Sequence, residues 1–196
     1  LDEGVALRHI VPHARIFVLD GAAVDAVPAL IAHNLTPVLN SLADLANWSS
    51  SSRREAAIHI DTGMNRLGLP PDELALLIAE SKARLSGVNV VLLMSHLACA
   101  DDPGHKMNKT QRDRFRAALA KLPPAPASLA SSGGVLLGPD YAFDLVRPGL
   151  GLYGGNPQPG RPNPFKTVVR LTGKILQLRR VDGGQTVGYG ASYRTG

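Results

Sequence analysis

The sequence is poor in cysteine, in aromatic residues and in long apolar runs, and each shortage excludes a class of protein. Cys99 is the only cysteine among 196 residues, so an internal disulfide framework is excluded and a reducing, cytoplasmic location is expected. No apolar run approaches the roughly 20 residues that a helix needs to cross a bilayer. We therefore predict a soluble globular protein with no role in a membrane.

A shortage of aromatic residues also weighs against nucleic acid as a partner. The formal net charge is +5, but aromatic residues make up 5% of the chain and the basic residues are scattered along it. Nucleic-acid surfaces concentrate basic side chains and often add aromatic ones. A small molecule that carries a phosphate explains the positive charge equally well, and we predict no nucleic-acid partner.

The two ends of the chain suggest a segment of a longer protein. The first residues, "LDEGVALRHIVPHARIFVLDG", lack an initiator Met and resemble the end of a helix that runs into a strand. The last residues, "GYGASYRTG", follow closely on a predicted strand. We expect the natural chain to extend beyond both.

Short apolar segments alternate with amphipathic helical segments, which predicts an α/β fold. The helical segments include residues 70–85 and 108–122, where apolar side chains recur on one face. Strands that are apolar throughout and are followed by such helices form parallel sheets with a covered face. The spacing suits a (β/α) barrel or a doubly wound sheet. The predicted strands are residues 15–20, 36–40, 56–61, 88–96, 127–131 and 142–149.

The composition and the hydrophobic pattern of the sequence change after Gly155. The segment "NPQPGRPNP" is rich in Pro, Gly and Asn, so it predicts a linker or an extended crossover. Beyond it, residues 165–193 alternate apolar and polar residues with Gly-rich turns, the pattern of antiparallel strands. We place a domain boundary near residue 156, with a barrel-type domain over 1–155 and a linker with β strands over 156–196.

Polar residues follow several of the predicted strands at the ends where parallel α/β folds bind ligands. Ser132 lies in "LASSGGVLLG", between a strand and a short helix, where hydroxyl and backbone N–H groups suit a phosphate. Arg147 ends "FDLVRPG", and its charge requires an acceptor: an anionic ligand or, equally, an Asp in a structural ion pair. His96 ends another strand and, taken alone, is better explained as a buried His with satisfied hydrogen bonds.

Two further patterns resemble binding motifs but do not predict a binding site. "GLGLYG" at residues 149–154 matches the dinucleotide-binding fingerprint, but the Pro-rich segment after it cannot form the helix that this fingerprint requires. His9 and His13 have the spacing of two metal ligands on a helix, but Pro12 interrupts them and no third ligand is nearby. No Walker A or G-x-S-x-G sequence occurs, and we predict no metal.

Taken together, four motifs resemble bacterial alanine racemases, a family of pyridoxal-phosphate enzymes. In order, they are "HIDTGMNRLGL", "MSHLACADDP" with "NKTQRDRF", "DLVRPGLGLYG" and "VGYGASY", and the resemblance extends over essentially the whole chain. It implies a (β/α)8 TIM-type barrel, incomplete at its N-terminus here, followed by the start of a C-terminal β domain. It also implies pyridoxal 5'-phosphate as cofactor, alanine as substrate, and a homodimer that supplies D-alanine for peptidoglycan.

The resemblance assigns roles to the matching positions. Arg66 approaches the phenolic oxygen of the cofactor and the substrate carboxylate. A guanidinium suits these groups because it can donate hydrogen bonds to two oxygen atoms at once. Ser132, with backbone N–H groups near Gly149 and Leu150, holds the phosphate. Arg147 donates to the pyridine nitrogen, so that this nitrogen stays unprotonated and is a weaker electron sink.

The match also implies two catalytic bases on opposite faces of the substrate. One is Tyr189, which acts on the site of the neighbouring subunit and is linked to Arg147 through His96. A phenol ionises near pH 10, so this neighbourhood has to favour the anion. The other is the lysine that binds the cofactor covalently. It precedes the first residue of this chain, so the 196-residue segment is expected to be inactive alone.

One position departs from the family, and two other functions stay open. Many relatives carry a carbamylated Lys two residues before Asp61, whereas this chain has His59, so Arg66 must be oriented by something else. A racemase for serine or a broader set of amino acids fits the same residues. So does a non-catalytic pyridoxal-phosphate-binding barrel, although Tyr189 and the β segment argue against it.

Overall fold

The computed structural model describes residues 1–50 and 53–196 and shows parallel strands that alternate with helices. Five strands form one sheet in the order β1-β2-β3-β4-β5, and every neighbouring pair is parallel. This is the α/β architecture of the predicted barrel, although the sheet of these residues is open. The strands are β1 (Phe17–Val18), β2 (Thr36–Leu39), β3 (Arg54–His59), β4 (Val88–Met94) and β5 (Ala127–Ser128).

The helices lie between the strands and cover the sheet. Phe115 of the longest helix, Leu30 and Leu77 are fully buried, because each belongs to the apolar stripe of an amphipathic helix. Strand β2 is buried along its whole length, as expected for a parallel strand covered by other elements. The helices are α1 (Asp2–Ile10), α2 (Val27–Ala32), α3 (Leu42–Trp48), α4 (Pro71–Ala79), α5 (Ser81–Arg84), α6 (Lys106–Leu119), α7 (Ser132–Val135) and α8 (Pro139–Ala142).

Two local predictions are corrected by the structure. The helix predicted over 70–85 is broken at Glu80, whose backbone (φ −115°, ψ 23°) leaves the helical range between α4 and α5. The sixth strand predicted over 142–149 is not a strand. The N–H groups of Asp144 and Leu145 both donate to the carbonyl of Ala127, so the chain turns there and pairs with residues 127–131 only through isolated bridges at Phe143 and Arg147.

The part after residue 155 contains little regular structure. Residues 155–185 form neither helix nor strand, which corrects the strands expected there, and many of their apolar side chains are exposed. An antiparallel pair follows, β6 (Thr186–Val187) and β7 (Tyr193–Arg194), joined by a 3-10 turn over Tyr189–Ala191. None of the helices in the described residues has the length and apolar character of a membrane span.

Candidate functional site

A cavity of about 400 Å³ opens where the chain leaves the carboxyl ends of β4 and β5. This size lies in the range of small-molecule sites. Five of the residues predicted from the sequence line it together: His96, Ser132, Arg147, Gly149 and Leu150. A second cavity, of about 420 Å³, lies between α4 and α6 and contains none of the predicted site residues.

Ser132 occupies the first position of α7 and is buried. Its hydroxyl oxygen accepts hydrogen bonds from the N–H groups of Gly149 and Gly151, each at 3.0 Å. Because both lone pairs of the hydroxyl are used by these donors, its own proton is left to donate to an acceptor in the cavity. The predicted partners Ser132 and Gly149 are therefore in direct contact, and they offer a donor of the kind that a phosphate oxygen accepts.

Arg147 is held by the strand ends beneath the cavity. One terminal nitrogen donates to the hydroxyl of Ser128, and the other donates to the carbonyl of Ser95 at 2.6 Å and more weakly to that of Leu129 at 3.5 Å. Within the described residues no carboxylate pairs with it, so the structural ion pair considered above is absent there. Burial lowers the pKa of this guanidinium to about 10, which still leaves it charged at neutral pH. A fixed, half-buried cation without an anion is suited to an anionic or electron-rich ligand.

His96 lies between these groups at the end of β4 and is half-buried. Its ring makes no hydrogen bond with the described residues, which contradicts the interpretation as a fully satisfied core histidine. Burial lowers its pKa to about 4, and the charges of Arg147 and Arg66 act in the same direction. The imidazole is therefore neutral at pH 7.

Arg66 is exposed at the tip of a closed loop over residues 60–69. The loop is closed by the N–H of Asp61, which donates to the carbonyl of Leu69 at 3.0 Å. The Asp61 carboxylate accepts the N–H groups of Gly63, Met64 and Asn65, which fixes the turn before Arg66. Arg66 does not line the cavity, although its charge contributes to lowering the pKa of His96.

Tyr189 is not brought to this cavity. Its side chain is fully exposed in the turn between β6 and β7, and it is not among the residues that line the cavity. The structure thus gathers five of the seven predicted residues in the cavity and leaves Arg66 and Tyr189 outside it.

A buried polar network beneath the site was not identified from the sequence. The hydroxyls of Thr62 and Ser95 lie 2.7 Å apart, and the Gln111 amide donates to Thr62 at 3.2 Å and to the carbonyl of His96 at 2.8 Å. Gln111 also accepts from the N–H of Ala98. The sequence did contain one signal for this network. Gln111 follows Asn108 by three residues and precedes Phe115 by four, so it is a polar residue on the buried face of α6.

Fold and cavity together define a class: a segment of a parallel α/β barrel with a small-molecule-sized cavity, lined by a cation and a buried hydroxyl, at the carboxyl ends of its strands. The comparison with protein families gives a more particular result. Residues 1–157 match the family described as "Alanine racemase, N-terminal domain". The chain therefore belongs to the alanine racemase family.

Individual relatives agree with this assignment. The chain is 48% identical to the alanine racemase of Rhodospirillum rubrum, over 98% of this chain and 53% of that protein. It is also 48% identical to the alanine racemase of Rhizobium meliloti, over 100% of this chain and 52% of that protein. The crystal structure of alanine racemase from Bartonella henselae with covalently bound pyridoxal phosphate matches with a TM-score of 0.86 and 36% identity. That match covers 99% of this chain and 55% of the solved one. The chain thus spans about half the length of these relatives.

Proposed function

We propose that the protein containing this chain is a pyridoxal-phosphate-dependent alanine racemase that interconverts L- and D-alanine for peptidoglycan synthesis. The observation that carries the proposal is the single cavity that brings together the Ser132 hydroxyl, the charged Arg147 and the neutral His96. Family membership supports it, as do the alanine racemases that the chain resembles. We also propose that it is a homodimer in the cytoplasm, as its resemblance to the family implies.

The residues at the cavity fit pyridoxal phosphate. The hydroxyl of Ser132 and the backbone N–H of Leu150 hold the phosphate, whereas the N–H of Gly149, which the sequence also assigned to it, donates to the Ser132 oxygen and fixes that hydroxyl. A guanidinium has five N–H donors, and those of Arg147 that do not bond to β4 and β5 are available to the ring nitrogen. When bound, the cofactor supplies the electron sink that makes the substrate Cα–H acidic.

The side chains of this chain then orient the substrate and move the proton. Because Arg147 stays charged at neutral pH, it keeps a proton away from the ring nitrogen and restrains delocalisation, which limits side reactions. Arg66 binds the substrate carboxylate. Tyr189 takes the proton from L-alanine at the neighbouring subunit's site, and His96 and Arg147 there favour its anion. The second base is the family's lysine, outside this chain.

We also propose the division of the chain into two parts. Residues 1–155 belong to the barrel, and residues 156–196 form the linker and the first strands of the β domain. The contrast between the buried five-stranded sheet and the largely exposed segment after residue 155 supports this boundary.

Racemisation by the full-length protein with Tyr189→Phe tests the function and the role of Tyr189 together. The wild-type protein is expected to bind pyridoxal phosphate, seen as visible absorbance, and to convert L- to D-alanine, followed by circular dichroism. The variant is expected to keep the absorbance and to lose the interconversion, whereas the matched control Tyr141→Phe, in the helix α8, keeps both. A wild-type protein that does not bind the cofactor contradicts the function, and a racemising variant contradicts only the role of Tyr189.

A further inference from the structure

The cavity of about 420 Å³ between α4 and α6 shares no lining residue with the candidate site. Its size lies in the range of small-molecule sites. It is formed by the first residues of the loop over 60–69, by α4, and by the second half of α6 with Lys121. The proposed function uses none of these cavity-lining side chains.

Part of the cavity wall is apolar. Ile60 and Ala118 are buried where they line it, and Leu74 and Ile78 of α4 are half-buried on the other side. Such a wall binds the hydrocarbon part of a ligand, because contact with it removes apolar surface from water.

Two cations line the same cavity from α6 and the residues just after it. One terminal nitrogen of Arg114 donates to the carbonyl of Thr62 at 3.0 Å. A Cβ atom on Gly63 would lie 3.0 Å from the same nitrogen, so the guanidinium rests against the backbone of the loop. A guanidinium has five N–H donors, and this single bond leaves donors of Arg114 available beside the ammonium of Lys121.

No carboxylate neutralises these cations. Within residues 1–50 and 53–196, neither Arg114 nor Lys121 forms an ion pair. Asp61 is the acidic residue that lines the cavity, and its carboxylate accepts the N–H groups of Gly63, Met64 and Asn65. The cavity therefore combines an apolar wall with two cations that have no anionic partner among the described residues.

We propose that the cavity between α4 and α6 is a second binding site, for a small carboxylate with an apolar body. The hydrocarbon part lies against Leu74 and Ile78, and the carboxylate accepts hydrogen bonds from Arg114 and Lys121. A zwitterionic amino acid fits less well, because its ammonium group would meet the two cations. This site goes beyond the proposed function and does not depend on it.

Binding of hexanoate to the full-length protein loaded with pyridoxal phosphate tests the proposal. Saturating alanine occupies the proposed catalytic site, so that ligand-observed NMR reports the second one. Hexanoate is expected to bind at least about fivefold more tightly than the neutral hexanamide, because only hexanoate has a charge for the two cations. No binding of hexanoate at about 10 mM, or equal binding of the two compounds, overturns the proposal.

Matched variants show whether hexanoate binds in this cavity. Ala117→Phe places a ring in the cavity and is expected to weaken hexanoate binding at least about tenfold, whereas Ala120→Phe, an exposed position that does not line it, is expected to stay within about twofold. Lys121→Gln is expected to weaken binding about two- to fivefold, and Lys106→Gln is its control. Equal binding by the two variants of each pair overturns the proposal, and the lysine pair serves if Ala117→Phe does not fold.

Hydrogen exchange locates the ligand without any measurement of activity. Hexanoate is expected to slow amide exchange in residues 60–65 and 114–121, which line the second cavity. Exchange in residues 132–150, which contribute to the first cavity, is expected to stay unchanged. Slower exchange in residues 132–150 alone would show that hexanoate binds at the first cavity and would overturn the proposal.

Discussion

At the scale of single residues, the hydroxyl of Ser132 joins two segments of chain that are far apart in the sequence. It accepts the N–H groups of Gly149 and Gly151 and so fixes the backbone that follows Arg147. We expect Ser132→Ala to weaken pyridoxal-phosphate binding to the full-length apoprotein by about 10- to 100-fold, because one charge-assisted hydrogen bond is lost and two N–H groups are released. Titration of the cofactor's absorbance measures this. Ser81→Ala, at the start of α5, is the control, and an equal loss there would show a nonspecific effect.

His59 also makes stability depend on pH. Its pKa is about 4 in the folded protein and about 6.5 when unfolded, so the unfolded state binds more protons between these values. Folding is therefore fully stabilised above about pH 6.5 and loses about 2–3 kcal/mol through this group as the pH falls to 4. Urea unfolding of His59→Gln at pH 7.5, 6 and 4.5 is expected to show a shallower decline than wild type. The same decline in both proteins would contradict this prediction, and His13→Gln serves as the control.

At the scale of elements, the loop over residues 60–69 depends on a glycine where it returns to the sheet. Gly68 has a φ of +102°, and a Cβ there would lie 2.9 Å from the backbone nitrogen of Asp61. We expect Gly68→Ala to destabilise the protein by about 2–4 kcal/mol through backbone strain and this overlap. Gly173→Ala is the matched control, since a Cβ atom added there would meet no atom within 4 Å and its φ is not positive. Chemical denaturation measures both, and comparable losses would show that the loop geometry is not the cause.

Periodicity identified all five strands of the sheet because a covered parallel strand is apolar throughout and ends at a polar residue. It was wrong for residues 142–149, whose apolar letters suited a strand. There the carboxylate of Asp144 accepts the N–H of Ala127 at 2.8 Å, and the chain turns at that point. A side-chain to backbone bond of this kind has no signature in the hydrophobic pattern. The break in the helix at Glu80 has no sequence signature either, because neither Gly nor Pro lies at that position.

The candidate site was predicted in part from the polar residues that follow predicted strands. These strand ends drew attention to His96 and Arg147, and the Ser-Gly turn to Ser132, but the strand predicted before Arg147 is absent and the roles of all three came from the family resemblance. The hydrogen bond between Asn40 and His59 was missed because these residues lie 19 positions apart, and only the strand register brings the two together. The turn before Arg66 depends on the Asp61 carboxylate, which the sequence shows only as one more polar residue.

At the scale of the whole molecule, the proposed exchange of Tyr189 between subunits predicts complementation. Co-expression of full-length Tyr189→Phe and Arg147→Gln chains, each expected to be inactive alone, produces mixed dimers in which one site carries both changes and the other carries none. Random assembly is expected to restore about a quarter of wild-type racemase activity. Mixed dimers purified through a different tag on each chain are expected to show about half, because one of their two sites is intact, and their activity provides the measurement. No recovery of activity would show that Tyr189 acts within its own subunit, and the Tyr141→Phe chain mixed with Arg147→Gln is the control.

The sequential order of the sheet affects how the chain can fold. Each strand pairs with the one before it, over separations of 19 residues between Phe17 and Thr36 and 35 residues between Ala57 and Leu92. Every strand pair of the five-stranded sheet joins segments that are close in the sequence, so the entropy lost in closing each loop stays small. The sheet can therefore grow strand by strand in the direction of synthesis, with each βα unit docking on the previous one as it leaves the ribosome.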